Sequence, residues 1–459
     1  MKKLAAWIFA VLLCVMPSQK IFANSAIKHW TGSSGSGVIS ADENCPVVVT
    51  HEDLTIHTAT GNLGPYAMTE TYDAYAEASY TLYNPTDMDI HARLVFPFGI
   101  VPDYAPHTED DSYLLKDYRI TLNGNPLEAA LRYTYEPSMD NFRAEEALSR
   151  LSDTYREHPF FRPSLPAAEY IFTLTGLPET AENCELSFDL DFSKLNTVLV
   201  MEYRSISWKD QTISLTVSVQ NGETFRIIAL GDDPVPALEF RLKTPDAEES
   251  SPYPMTPDSL RTYDYEEFAG QFQPENSLVS KVDWYNCLTD YLDKEAYQSN
   301  RVFYLHPRED LRVPVMRWYD YTIALGPKES SENTVHAPIY PDIDASYDHT
   351  VYEYKYLLTP AKTWGDFKDL HITVESDLYM IGHDREVFPF KKTDKGFEVT
   401  LEKLPDKDLS VRMCEVDSPK KQGSNYLSII LIFLGAALVF FGGIIALIVT
   451  VLRAIRKRR

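Results

Sequence analysis

AYAEASYTLYNPTDMDIHARLVFPF, residues 74–98, carries the reading of the whole chain. Ala74, Ala76, Ala78, Tyr80 and Leu82 alternate with Tyr75, Glu77, Ser79 and Thr81. That period of two puts one set of side chains on a buried sheet face and the other toward water. Asn84-Pro85-Thr86-Asp87 is turn chemistry, and a second apolar run, 89–98, follows it. Two such runs across a polar turn predict a hairpin.

The same grammar continues outward. Strands are expected at 47–57, 170–175, 186–192, 197–206, 212–220, 224–230, 238–242, 315–324, 351–358, 370–375 and 397–401. Asn123-Gly124 and Asn221-Gly222 signal two further hairpins. With 29 Tyr, 22 Phe and 29 Pro against 19 Gly, strand formers and turn residues dominate. The expected fold class is therefore mostly β: one or two antiparallel β-sandwich domains with helical insertions, plus one C-terminal transmembrane helix.

The period changes in two places. Ala144, Ala147, Leu148, Leu151 and Tyr155 fall at helical spacing, which predicts one amphipathic helix over 142–157, ended near Pro159. Leu278, Val282, Leu288 and Leu292 mark a second helical stretch within 274–298. The domain plan is then a flexible lead-in at 24–44, containing Gly32-Ser33-Ser34-Gly35-Ser36-Gly37, and a β-sandwich at 45–243. An acidic, Pro-rich linker or loop at 244–257 and a helical segment with a second β region at 258–415 follow. A polar stalk occupies 416–426.

Lys2 and Lys3 precede an apolar run at 4–16, and Ala23 follows, the order of a secretory signal peptide at 1–23; Ala26 is a second cleavage position. Residues 427–452 hold no ionisable side chain and would reach about 39 Å as a helix, enough to span a bilayer. Arg453, Arg456, Lys457, Arg458 and Arg459 form a basic tail at 453–459. The expected location is the plasma membrane, single-pass, with the signal peptide cleaved, the N-terminal ectodomain outside and the C-terminus cytoplasmic. Gly435, Gly442 and Ala446 lie at i, i+7 and i+11, a small-residue stripe that suits helix association and is also ordinary for a spanning helix.

A net charge of −24 repels phosphate backbones, so nucleic acid is excluded as a partner. The expected partners are the membrane, through the C-terminal helix, and a protein or wall polymer. Simple solubility explains the same charge. After signal removal Cys45, Cys184, Cys287 and Cys414 remain, and both disulfides and buried thiols fit them. No CxxC spacing suggests zinc.

Asp342, Asp344, Ser346, Asp348 and Glu353 place oxygens at alternate positions with a Glu at the twelfth, the arrangement of an EF-hand calcium loop. Tyr347 stands where that loop wants Gly, so an ordinary acidic turn competes with calcium, the one cofactor considered. Trp318 and Asp320 share a strand face and would serve as a sugar platform, unless that face is core. No catalytic motif is present, and His158 and His306, each before a Pro, read as hydrogen-bonded or solvated loop histidines.

Residues 76–133 resemble VIT domains, the β-sandwiches that precede the von Willebrand A domain in inter-alpha-trypsin-inhibitor heavy chains. The alternating strand, the polar turn 84–87, the strand ending in Phe96-Pro97 and the pair at Asn123-Gly124 carry the likeness. Uncharacterised exported, membrane-anchored bacterial β proteins share the pattern. The resemblance implies a sandwich fold; without an A domain or its Asp-x-Ser-x-Ser site it implies no metal-dependent adhesion. The expected function is a non-catalytic, membrane-tethered extracellular binding or scaffold protein. A membrane-anchored hydrolase of wall or extracellular polymer and an accessory subunit of a transporter or secretion complex are the alternatives.

Overall fold

The computed structural model describes residues 29–42, 45–59, 74–99, 101–102, 104, 117–136, 142–177, 184–275, 277–298, 301–303, 311 and 315–421. The signal peptide, the segment 427–452, the basic tail and residues 422–426 of the stalk lie outside the described residues. So does the stripe Gly435, Gly442 and Ala446. Among the described residues no helix is long and apolar enough to cross a membrane.

The chain is mostly β, in five predominantly antiparallel sheets. The strand Tyr75–Tyr83 forms as its alternation dictates, with Ala76, Ala78, Tyr80 and Leu82 buried. Its partners, however, are Val48–His57 and Ser330–Pro338, not Ile90–Gly99. Ile90–Gly99 belongs to another sheet, paired with Val315–Leu325. The expected hairpin is therefore a corner between sheets. Asn84 makes it one: its buried amide donates to the carbonyls of Met88, Leu325 and Gly326 and ties the turn to a distant segment. Asn221-Gly222 behaves alike, since Thr212–Val219 and Thr224–Gly231 pair into different sheets. Asn123-Gly124 does close a hairpin, with both residues at positive φ as a primed turn requires, but only onto Asn125–Pro126; the strand expected at 127–133 forms as Ala130–Tyr135 and pairs with Val315–Leu325 in another sheet.

The domain plan changes accordingly. Val315–Leu325, Ser330–Pro338 and Asp366–Glu375 pair with Ile90–Gly99, Tyr75–Tyr83 and Val48–His57 respectively, so the two ends of the chain build one body. The expected boundary near 243 does not exist. Instead, two five-stranded sheets, built from Pro166–Thr173 through Ser259–Asp264 with Val302–Phe303 added as an edge strand, form an inserted sandwich with its own core around Phe172, Leu186, Phe188, Leu215 and Ile227. The expected linker at 244–257 is a loop of this sandwich: Ser251–Pro252 pairs back on Arg241–Lys243, and Ser259–Asp264 pairs with Pro166–Thr173. Thr197–Met201 is buried on both faces, with Leu199 and Met201 in the sandwich core and Val198 and Val200 in the core of the main body. This explains its unbroken apolar run.

The lead-in is not flexible. From His29 onward it threads the body as short strands against Asp342–Asp344, Val351–Leu357 and Ile90–Gly99. Its glycines serve close approach: a Cβ on Gly37 would lie 2.5 Å from the Tyr80 hydroxyl, and one on Gly35 would lie 2.8 Å from the Tyr356 ring.

The expected helix at 142–157 is only Ala144–Leu148. Beyond it, the helix Lys281–Gln298 pulls the chain away. Asn286 Oδ1 accepts the Arg156 N–H, its amide donates to the Thr154 carbonyl, and Asp290 holds the Arg156 guanidinium. Within Lys281–Gln298, Trp284, Tyr285, Leu288 and Leu292 face the core, whereas Leu278 precedes the helix and is exposed. Cys45, Cys184, Cys287 and Cys414 are buried and remain thiols, not disulfides. Burial pushes the Cys184 and Cys287 thiols up, away from reactivity.

Candidate functional site

The residues singled out from sequence do not converge. Asp342 faces Glu353 across paired strands, so the presumed loop is a β-hairpin. Asp342 accepts Lys355 Nζ at 2.6 Å and the Gly32 N–H at 2.6 Å, while Glu353 accepts the Ser410 hydroxyl. Asp344 Oδ1 accepts the N–H of Ser346, and Asp348 Oδ1 accepts the N–H of Lys420. These carboxylates are spent on the fold, and among the described residues no three His, Cys, Asp or Glu side chains are placed to hold a metal.

The sugar platform is likewise corrected. Trp318 is fully buried beneath Ala144 and Ala147, and its indole N–H donates to Thr134 Oγ1. Asp320 pairs with Arg93 and Arg132.

A different place combines a cavity with convergent polar groups. A cavity of about 390 Å³ lies where the inserted sandwich meets the long helix. It is lined by His158, Pro159, Phe160 and Phe161, by Asn196, Thr197 and Val198, and by Asp293 and Arg301. Mixed, mostly apolar clefts of this size at domain junctions are the usual form of a small-molecule site.

Each wall has a local cause. The chain freed from the helix at 149 runs over Lys281–Gln298, and His158 locks its turn. His158 Nδ1 accepts the N–H groups of Phe160 and Phe161 at 3.2 and 2.9 Å. That leaves the proton on Nε2, which faces Asp293 Oδ1 at 3.2 Å. Phe161 packs into the core against Tyr265, with ring centroids 5.2 Å apart. Phe160 lies over Gly231, where φ is +96° and a Cβ would sit 3.2 Å from the Phe160 ring. Asn196 is pinned through its backbone, which exchanges hydrogen bonds with Asp232.

Arg301 stands beside the strand Thr197–Met201. It holds a φ of 66°, its carbonyl accepts the Leu199 N–H at 2.9 Å, and its guanidinium donates to the Leu195 carbonyl at 3.0 Å. A non-glycine residue in this conformation costs about 1 kcal/mol or more and persists only where its surroundings fix it. Both ends of Arg301 are fixed.

A second concavity, about 440 Å³, is lined by Tyr155, Trp284, Tyr285, Lys281, Asp264, Glu266 and Glu267 among others. Its carboxylates also serve the fold: Asp264 caps the Glu267 N–H, Glu266 accepts the Tyr155 hydroxyl and Glu267 pairs with Arg261.

From sequence His158 reads only as a loop histidine, and nothing local marks Phe160, Asn196, Asp293 or Arg301. They come from four separate segments. The only local signal was the dense run His158-Pro159-Phe160-Phe161 between two elements.

No family model matches the chain, and no curated protein matches it. The chain is similar to the crystal structure of a "putative nutrient binding protein" from Legionella pneumophila, with 10% identity and a TM-score of 0.33, over 84% of this chain and 72% of that one. A likeness so remote carries no argument here.

Proposed function

We propose that the protein is a non-catalytic binding protein, exported by its N-terminal signal, held at the plasma membrane by residues 427–452, and presenting the cavity at the sandwich–helix junction to small ligands outside the cell. The observation that carries this reading is the state of His158. A general base must offer a lone pair to its substrate. The lone pair on Nδ1 is taken by two backbone N–H groups, and Nε2 is turned to Asp293. Asp293 is moreover the single carboxylate among the residues lining this cavity, whereas glycoside hydrolysis normally uses two. What the walls offer is shape, apolar surface and fixed donors, which favours binding over the hydrolase alternative.

Native mass spectrometry of the full-length protein, extracted in detergent from its own membrane, tests the reading. Wild type should carry a bound species of drug-like size. Asn196→Trp, which places an indole in the cavity mouth while keeping the backbone bonds to Asp232, should emerge bare. The same spectra report whether residues 1–23 have been removed. A bare wild type, or an adduct indifferent to Asn196→Trp, would remove the basis for the proposal.

A further inference from the structure

We infer that the ligand of this cavity is a small amphipathic anion, an apolar or aromatic body bearing one carboxylate, with Arg301 as its counter-charge; this rests on the binding reading above. The charges in the wall decide the sign. Asp293 faces the Nε2–H of His158, so its charge is engaged before any ligand arrives. The Arg301 guanidinium uses one contact, to the Leu195 carbonyl, and has no carboxylate partner among the described residues. Arg93, Arg132, Arg150 and Arg156, in contrast, are each paired with an acid. A guanidinium carries five N–H donors in a fixed fork, so Arg301 can hold a carboxylate while staying on Leu195.

Its backbone makes the group a prepared one. A flexible surface arginine would lose side-chain freedom on binding; Arg301 is already anchored at its carbonyl and at one guanidinium nitrogen. Pro159, Phe160 and Val198 supply apolar surface, and the Asn196 side chain adds a neutral polar group. A cationic ligand would have to displace His158 from Asp293 and sit beside Arg301. The negative charge of the whole chain does not forbid an anion here, because fields from beyond about 10 Å are screened at 0.1 M salt. The size of the cavity admits a small molecule or the end of a polymer, not a polymer chain laid along it.

The test uses two matched probes, 4-(4-trifluoromethylphenyl)butyrate and its primary amide, titrated by fluorine NMR onto full-length protein in nanodiscs, with empty nanodiscs as the blank. The carboxylate should bind wild type about tenfold more tightly than the amide, as expected for a charge-assisted bond. Arg301→Gln, which keeps a donor for the Leu195 carbonyl, should lower carboxylate affinity far more than amide affinity and so erase most of that difference. Arg301→Lys should restore part of it, and Phe160→Ala should weaken both probes. Equal binding of the two probes through Phe160, or a carboxylate affinity unmoved in Arg301→Gln, overturns the anion assignment and leaves the binding reading standing. Failure of both probes to bind wild type, or binding indifferent to Phe160→Ala, overturns the two together. Thermal melts matching wild type confirm that each variant is folded.

Discussion

Asp283→Ala should destabilise the protein by about 3–5 kcal/mol, the cost of removing one member of a buried ion pair. Asp283 is 1% exposed on the long helix, and its two oxygens receive Nε and Nη2 of Arg132 at 2.6 and 3.0 Å. Arg132 lies on the strand Ala130–Tyr135 and also reaches Asp320 on Val315–Leu325 and the Ser152 carbonyl. One guanidinium thus joins the helix, two neighbouring strands and the segment leading to His158. Removing Asp283 leaves much of that buried positive charge uncompensated. The penalty belongs to the broken pair, not to the absence of charge, so Arg132→Met combined with Asp283→Leu should recover most of the loss. Denaturant midpoints of the three variants check this. A cost under about 1 kcal/mol for Asp283→Ala would mean that Asp320 and Asp153 suffice for Arg132.

Glu52→Gln should stabilise the protein at neutral pH and leave it unchanged in acid. Glu52 is 1% exposed inside the main body, bonded to Tyr80, with Oε1 lacking a hydrogen-bond partner among the described residues. Burial pushes its carboxyl up from 4.5 to about 8. Between those values the folded protein keeps a proton that the unfolded chain has released, so stability falls as pH rises through the window. At pH 7 this costs about 3 kcal/mol, at 1.36 kcal/mol per unit; at pH 4 both states are protonated and the cost vanishes. Glutamine is neutral at both. Its gain should therefore be about 3 kcal/mol at pH 7 and near zero at pH 4, read from denaturant melts at the two pH values. An equal shift at both would show that packing, not ionisation, separates the two side chains.

These two interior networks mark where sequence reading stops. Period and propensity located Val48–His57, Tyr75–Tyr83, Thr212–Val219 and Val351–Leu357, because alternation is a local property. Partners are not local. The strand Ser330–Pro338 left little trace, since two of its inward residues, Ser331 and Asn333, are polar. Asn333 is tolerated there because Tyr321 donates to its Oδ1 and its amide donates to the Thr121 carbonyl. Without that strand, the turn at 84–87 looks like a hairpin. Glycine misled for a related reason: a Gly/Ser run reads as flexible, yet against Tyr80 and Tyr356 it is the only backbone that fits. Trp318 shows the converse, an aromatic beside a carboxylate whose meaning depends on the helix covering it. The cavity was illegible because its residues, from His158 to Arg301, meet only when the inserted sandwich docks on the helix.

Everything proposed for the cavity rests on the chain's two ends closing into one body that carries the inserted sandwich. Ser79 and Thr334 are 255 positions apart, are paired across neighbouring strands, and have hydroxyls 2.9 Å apart. The measurement is the thiol count and electrophoretic mobility of Ser79→Cys/Thr334→Cys, with and without reductant, relative to wild type, whose described residues hold four buried thiols. An intramolecular disulfide should form on oxidation and speed migration until it is reduced. Two new free thiols with unchanged mobility would contradict the shared sheet, and with it the junction where the ligand is placed.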